Sequence, residues 1–176
     1  MSISKKAAKS ALTIMIFTLG SKFLGFIRET LIAAKFGSGV VTDAFFVAMT
    51  ATGLLTGLII NAISTTFVPV LAEIETKEGK PGKINHTNNM MNIIFLSALI
   101  LVVLGVLASP LFVKLLAKGF YGPQYYLAVK LTRIGMPKLL FSGVIGALTG
   151  FLHSEHKHAS AAAIGFPFNF TFIFFL

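Results

Sequence analysis

Cysteine and tryptophan are absent from this chain of 176 residues, and charge is scarce. Without cysteine there is no disulfide, no thiolate chemistry and no cysteine-ligated metal. Without tryptophan, the usual aromatic belt at a membrane interface is missing its commonest member. Charged residues make up 12% of the chain, against about 25% in an ordinary soluble domain. No glycine-rich phosphate loop, no serine–histidine–acid order and no paired-carboxylate motif is present, so neither an enzyme nor a resident cofactor is expected.

What is present is apolar. Hydrophobic residues make up 55%, eighteen of them phenylalanine, and the mean hydropathy is +0.85. Several runs are long enough to cross a bilayer, which needs about 20 apolar residues each. The expected fold class is all-α, a polytopic membrane helical bundle. Spans are expected at 11–33, 43–68, 90–109 and 129–152, with a fifth, incomplete, at 159–176. The first follows Lys5, Lys6 and Lys9 and is longer than the ~7–15-residue apolar core of a signal peptide, so it reads as an uncleaved span. By the positive-inside rule those lysines hold the N-terminus in the cytoplasm. The polar linker 72–89 and the turn 153–158 then face the cytoplasm as solvated loops. Proline ends span 2 near Pro69 and span 3 at Pro110.

The formal net charge is +9. No basic stripe alternates with exposed aromatics, so nucleic acid is not expected as a partner; anionic lipid headgroups and an anionic substrate are. The informative charges lie inside the apolar runs. Lys22, Arg28 and Glu29 fall within span 1, and Asp43 opens span 2. An ionisable residue at membrane depth costs at least about 2.5 kcal/mol and normally faces protein or a wet cavity. Lys22 and Glu29 are seven apart and share a helical face, with Gly25 between them and Arg28 on the flank. The bland alternative is that Lys22 and Arg28 anchor the helix at an interface. Asp43 is a partner for Arg28 or for a coupling cation, or else, with Thr42, a helix cap.

Span 2 carries a periodic stripe of Thr50, Gly53, Gly57, Asn61 and Ser64, at steps of three or four. Such a stripe serves close helix packing or lines a cavity; Gly53 and Gly57 are expected to pack and Asn61 to line the cavity. In span 4, Gly143, Gly146 and Gly150 are further packing candidates, and Lys138 is divided between snorkelling and a cavity role. His153, Glu155, His156 and His158 match no zinc spacing, and no metal site is expected.

The stretch from Ser21 to Ala48 resembles the MviN/MurJ-like lipid II flippases of the MOP exporter superfamily. Its blocks read SK-LGF-RE, AAKFGSG and TDAFFVA, continuing into STTFVPVLAE at 64–73. RIGMPKLLF and FLHSEHKHASAAAIGFPFN resemble the family's later spans more loosely. The resemblance implies the first part of a two-lobed transporter of some 14 spans. It implies alternating access in the bacterial cytoplasmic membrane, a polyprenyl-pyrophosphate-linked glycan as substrate, and cavity cations that receive its pyrophosphate. Lys22 stands where the signature usually has arginine; Arg28 and Asp43 match it. Span 2 departs: Thr56 lies near a usual arginine, and Asn61 with Ala62 replaces an acidic triplet. One cavity cation is thereby lost, which leaves room for another polyprenyl-linked glycan, for a drug exporter of the same superfamily, or for a non-transporting membrane fragment.

Overall fold

The computed structural model describes residues 3–37, 39–155 and 157–176, with side-chain surroundings from residue 11 onward. Ser38, His156 and the side chains of Lys5, Lys6 and Lys9, which enter the expectations above, lie outside the described residues. Six helices run through the described residues: α1 (Ile3–Phe36), α2 (Val40–Leu116), α3 (Gly122–Gly135), α4 (Lys138–Ser154), α5 (His158–Ala162) and α6 (Gly165–Phe175). The chain divides into two compact units, one of residues 1–38 with 155–176 and the other of residues 39–154.

In the larger unit, α2 is a hairpin. Its 77 residues would extend to about 115 Å if straight, several times a bilayer core. The backbone breaks at Gly79, with φ 68° and ψ −169°, a region open essentially to glycine alone. Around that point the two arms run back along each other. Phe67 and Leu71 of the first arm share a cluster with Met90, Met91 and Ile94 of the second. Farther out, Ala44 meets Val113. The polar stretch 72–89 is therefore not a loop: it is helical on either side of one glycine. Its polarity reflects exposure of the turn, not loss of helix. Pro81 sits in the first turn after the break, where a missing N–H leaves no helical bond unmade.

The prolines expected to end spans 2 and 3 lie inside the helix instead. At Pro110 the ring displaces the bond normally made to the carbonyl of Val106. That oxygen accepts the Ser109 hydroxyl at 2.8 Å, a local substitution by which membrane helices carry proline. Residues 111–116 continue α2 beyond Pro110.

Span 4 is two helices. α3 and α4 meet at a bend of 43° next to Pro137, whose ring cannot coexist with a regular bond to the carbonyl four residues back. α4 lies against both arms of the hairpin. A Cβ at Gly143 would come 2.9 Å from Ile94, one at Gly146 3.5 Å from the Ile60 backbone, and one at Gly150 3.0 Å from Phe67. Gly53 and Gly57, expected to pack likewise, face open space among the described residues. Apolar area on the outer surfaces is large: Leu96, Ile100, Leu104 and Leu107 are all exposed, as lipid-facing residues should be.

The smaller unit pairs α1 with α5 and α6. Phe17 and Phe166 meet edge to face, ring centroids 5.6 Å apart. The first span extends to Phe36, three residues beyond expectation. Three helical segments are long and apolar enough to cross a membrane, or four if the bent α3–α4 pair is one span. With the hairpin supplying two arms, the architecture is a polytopic helical membrane bundle.

Candidate functional site

Charge within the apolar helices is treated differently at each position. In the smaller unit, the face of α1 turned to α6 carries Ser21, Gly25, Arg28 and Ile32, at steps of four, three and four. Arg28 retains 9% of its exposure and Ile32 3%. Lys22 and Glu29, expected to share a face with Gly25, instead lie on the exposed side of α1. Seven-residue spacing is satisfied by either arrangement, and the close approach of α6 selects this one.

Arg28 is held on three sides. Its Nη1 donates to Asn169 Oδ1 at 3.0 Å. Its Nη2 donates to Glu29 Oε1 at 3.3 Å, longer than the ~2.7–2.9 Å of a strong charge-assisted bond. The Glu29 side chain is 58% exposed. The guanidinium carbon lies 5.6 Å from the ring centroids of both Phe168 and Phe172, within cation–π range. Nε is buried without a hydrogen-bond partner among the described residues.

Asn169 is tied down in turn. Its Nδ2 donates to the Gly165 carbonyl at 3.0 Å and to the Ser21 carbonyl at 3.1 Å, with the Ser21 hydroxyl at 3.4 Å. The amide orientation follows from these partners: the reverse would set NH₂ against guanidinium and oxygen against two carbonyls. The packing that permits this is close. A Cβ at Gly165 would run into the Ser21 hydroxyl, and one at Gly20 would meet the Phe166 ring at 2.6 Å. Gly25 leaves room for the amide, whose oxygen lies 3.9 Å from where its Cβ would be.

In the larger unit, the first arm of α2 presents Asp43, Thr50, Gly53 and Asn61 on an exposed face, with Gly57 and Ser64 half-buried along it. Its opposite face, from Ala44 through Ala48 and Thr52 to Phe67 and Leu71, is buried. The polar stripe is thus turned away from α3 and α4. Thr42 and Asp43 do not cap α2: Gly39 occupies the cap position, without a side-chain cap bond, and Asp43 lies in the first turn. A carboxylate there is favourable toward the helix dipole. Thr56 faces α4, its hydroxyl 3.4 Å from that of Ser142. Lys138 opens α4 and is exposed.

One charged residue that the sequence placed in a solvated loop is instead the most buried cation of the described residues. Lys83 retains 1% exposure. Its Nζ pairs with Glu75 Oε2 at 2.7 Å and lies 5.3 Å from the Phe151 ring centroid. Glu75 and Lys83 stand four residues before and after Gly79. The signal was opposite charges placed symmetrically about a glycine, and it becomes legible once the hairpin turn is located.

Comparison with known proteins gives the site its context. The family profile described as lipid II flippase MurJ matches residues 32–176. The lipid II flippase MurJ of Burkholderia cenocepacia is 33% identical over 168 residues, covering 94% of this chain and 33% of that protein. The probable lipid II flippase MurJ of Buchnera aphidicola subsp. Baizongia pistaciae is 30% identical, covering 96% and 33%. That of Rhizobium meliloti is 32% identical over 177 residues, covering 98% and 32%. The chain spans about a third of the length of these curated relatives. Matched by the family profile over most of its length, the chain belongs to the MurJ lipid II flippase family.

Proposed function

We propose that this chain forms part of a carrier that flips a polyprenyl-pyrophosphate-linked glycan, lipid II first among them, across the bacterial cytoplasmic membrane by alternating access. The observation that carries the reading is the family match over residues 32–176. Arg28 supplies the chemistry: a guanidinium among apolar helices, opposed among the described residues only by an exposed carboxylate, suits a pyrophosphate better than a cation. Lys22 is a second cation for the headgroup, and Lys138 a third. Asp43 and Glu29 keep the site from trapping its anion, and Asp43 is the candidate for pairing with Arg28 or a coupling ion. Asn61 offers its amide to the glycan. The N-terminus, the hairpin turn 72–89 and residues 153–158 face the cytoplasm.

A second substrate is favoured by one observation. From residue 44 to residue 72 the first arm carries no charged side chain, so its polar face offers hydroxyls and an amide but no cation. A polyprenyl-linked glycan with a less acidic headgroup than lipid II fits that face.

Complementation of a strain depleted of its own lipid II flippase tests the reading, using the longest product that the gene encodes. Arg28→Ala and Lys22→Ala are expected to abolish growth at unchanged membrane abundance. Arg28→Lys should fail nearly as badly, whereas Lys22→Arg should grow. Growth of both alanine variants at normal abundance would overturn the assignment. Single cysteines at Lys80 and Lys118, labelled in intact cells by an impermeant thiol reagent, test the orientation: label is expected at 118 and not at 80.

A further inference from the structure

We propose that Asn169 is the positioning residue for Arg28: a neutral amide on α6 that fixes the guanidinium while leaving its charge, and its Nε–H, for an anionic ligand. The inference rests on the reading of Arg28 as the pyrophosphate-binding cation and specifies what makes it competent.

A guanidinium carries five donors and has no acceptor. Glu29 already sets one carboxylate 3.3 Å from Nη2; a second, buried one would hold the guanidinium well and cancel the charge that a phosphate needs. An amide oxygen holds it without that cancellation, and the Nη1–Oδ1 distance of 3.0 Å is a sound bond. The amide is itself immobilised. Both its hydrogens are committed, to Gly165 on its own helix and to Ser21 on α1, so Asn169 cannot follow Arg28 if the latter swings. Phe168 and Phe172 complete the hold. They flank Asn169 in sequence, and α6 therefore delivers ring, amide and ring to one guanidinium. The rings attract the cation through their faces and exclude water. The remaining buried donor, Nε, has no partner among the described residues. Such a donor is ordinarily satisfied, and a phosphate oxygen is the acceptor that the positive site would recruit. The function claimed for Asn169 is thus positional: it need not touch the ligand.

The chain contains two arginines, Arg28 and Arg133, which makes the hold directly observable. With ¹⁵N-arginine incorporated and the chain in lipid nanodiscs, Arg133→Lys assigns the Arg28 signals. In the wild type the Arg28 Nη hydrogens should appear as resolved, slowly exchanging resonances. Asn169→Leu removes one bond to a charged group, and their exchange should accelerate about tenfold or more. Asn169→Asp keeps an oxygen for Nη1 but loses both Nδ2 donations, so exchange should stay slower than in Asn169→Leu. Titration with undecaprenyl pyrophosphate in the same nanodiscs separates geometry from charge. Binding should weaken about tenfold in both variants, in Asn169→Leu because the cation is loose and in Asn169→Asp because it is neutralised. In Arg28→Ala, adding Asn169→Leu should weaken binding no further.

Unchanged exchange in Asn169→Leu overturns the positioning role, whatever the lipid does. Undiminished binding in Asn169→Asp, with exchange still slower than in Asn169→Leu, overturns the claim that the hold must be neutral. Wild-type protein that shows the slow resonances and binds no pyrophosphate lipid refutes the pyrophosphate assignment of Arg28, and with it the ligand-directed part of this proposal, while the hold itself stands measured.

Discussion

Two buried cations in this chain are built in opposite ways. Lys83 meets a carboxylate at 2.7 Å, with that side chain itself only 33% exposed. Arg28 meets an amide at 3.0 Å, and its nearest carboxylate lies 3.3 Å away on a side chain that is 58% exposed. The first arrangement neutralises the charge where it stands; the second leaves it positive. The setting matches the chemistry. Lys83 ties the two arms of the α2 hairpin at their turn, beneath Phe151 of α4, and a closed pair suits a structural fastening. Arg28 sits on an apolar helix where a charge is otherwise hard to maintain, and of its two hydrogen-bond partners the buried one, Asn169, does not quench it. Burial alone therefore does not separate a fastening from a binding group; the identity of the partner does.

The sharpest way to break this comparison is at Lys83. Lys83→Met should destabilise the larger unit by about 3 kcal/mol, because it strands Glu75 in a partly buried position. Changing both Lys83 and Glu75 to Met should recover most of that loss, since a well-packed apolar pair replaces the ion pair. Unfolding in mixed micelles of increasing SDS content, followed by circular dichroism, measures both. If the double variant is no better than the single one, the pair does more than fasten the turn. Next in size is Gly79→Ala, expected to cost about 2 kcal/mol from its backbone conformation alone. It should also separate the two arms at their turn, visible as slower cross-linking between cysteines placed at 75 and 83.

Arg28→Lys sharpens the other side. A lysine keeps the charge and loses the fork shared by Asn169 and Glu29. Its stability loss should be about 1 kcal/mol, smaller than that of Lys83→Met, while transport falls far more. A stability loss as large as that of Lys83→Met, with transport intact, would make Arg28 a second fastening. The smallest effect is expected at the exposed pair Lys77–Glu73, 2.6 Å apart on successive helical turns. Lys77→Ala should change stability by no more than about 0.5 kcal/mol in the same micelle titration, which sets the scale for a charge pair that water already satisfies.

The sequence determined that the chain enters the membrane, because continuous apolar runs leave no other way to satisfy the backbone and the side chains together. It also determined that Arg28 needs a partner, since an ionisable group within such a run demands one. Composition misled at 72–89, where polar residues read as a loop although a single glycine makes the turn and helix continues to either side. Proline misled at 69 and 110, where the helix runs on; at 110 a neighbouring hydroxyl takes over the carbonyl that the helix has lost. Which face of α1 is buried was not fixed by spacing: residues 22 and 29, or 21, 25, 28 and 32, both make a stripe on an isolated helix. Only the arrival of α6 chose the second, bringing Asn169 to Arg28 across 141 positions of chain. In the same way only α4, lying across both arms of the hairpin, decided that Gly143, Gly146 and Gly150 would be covered while Gly53 and Gly57 stayed open. Periodicity belongs to one helix at a time; which stripe becomes an interface depends on the second helix, and that pairing is a property of the fold.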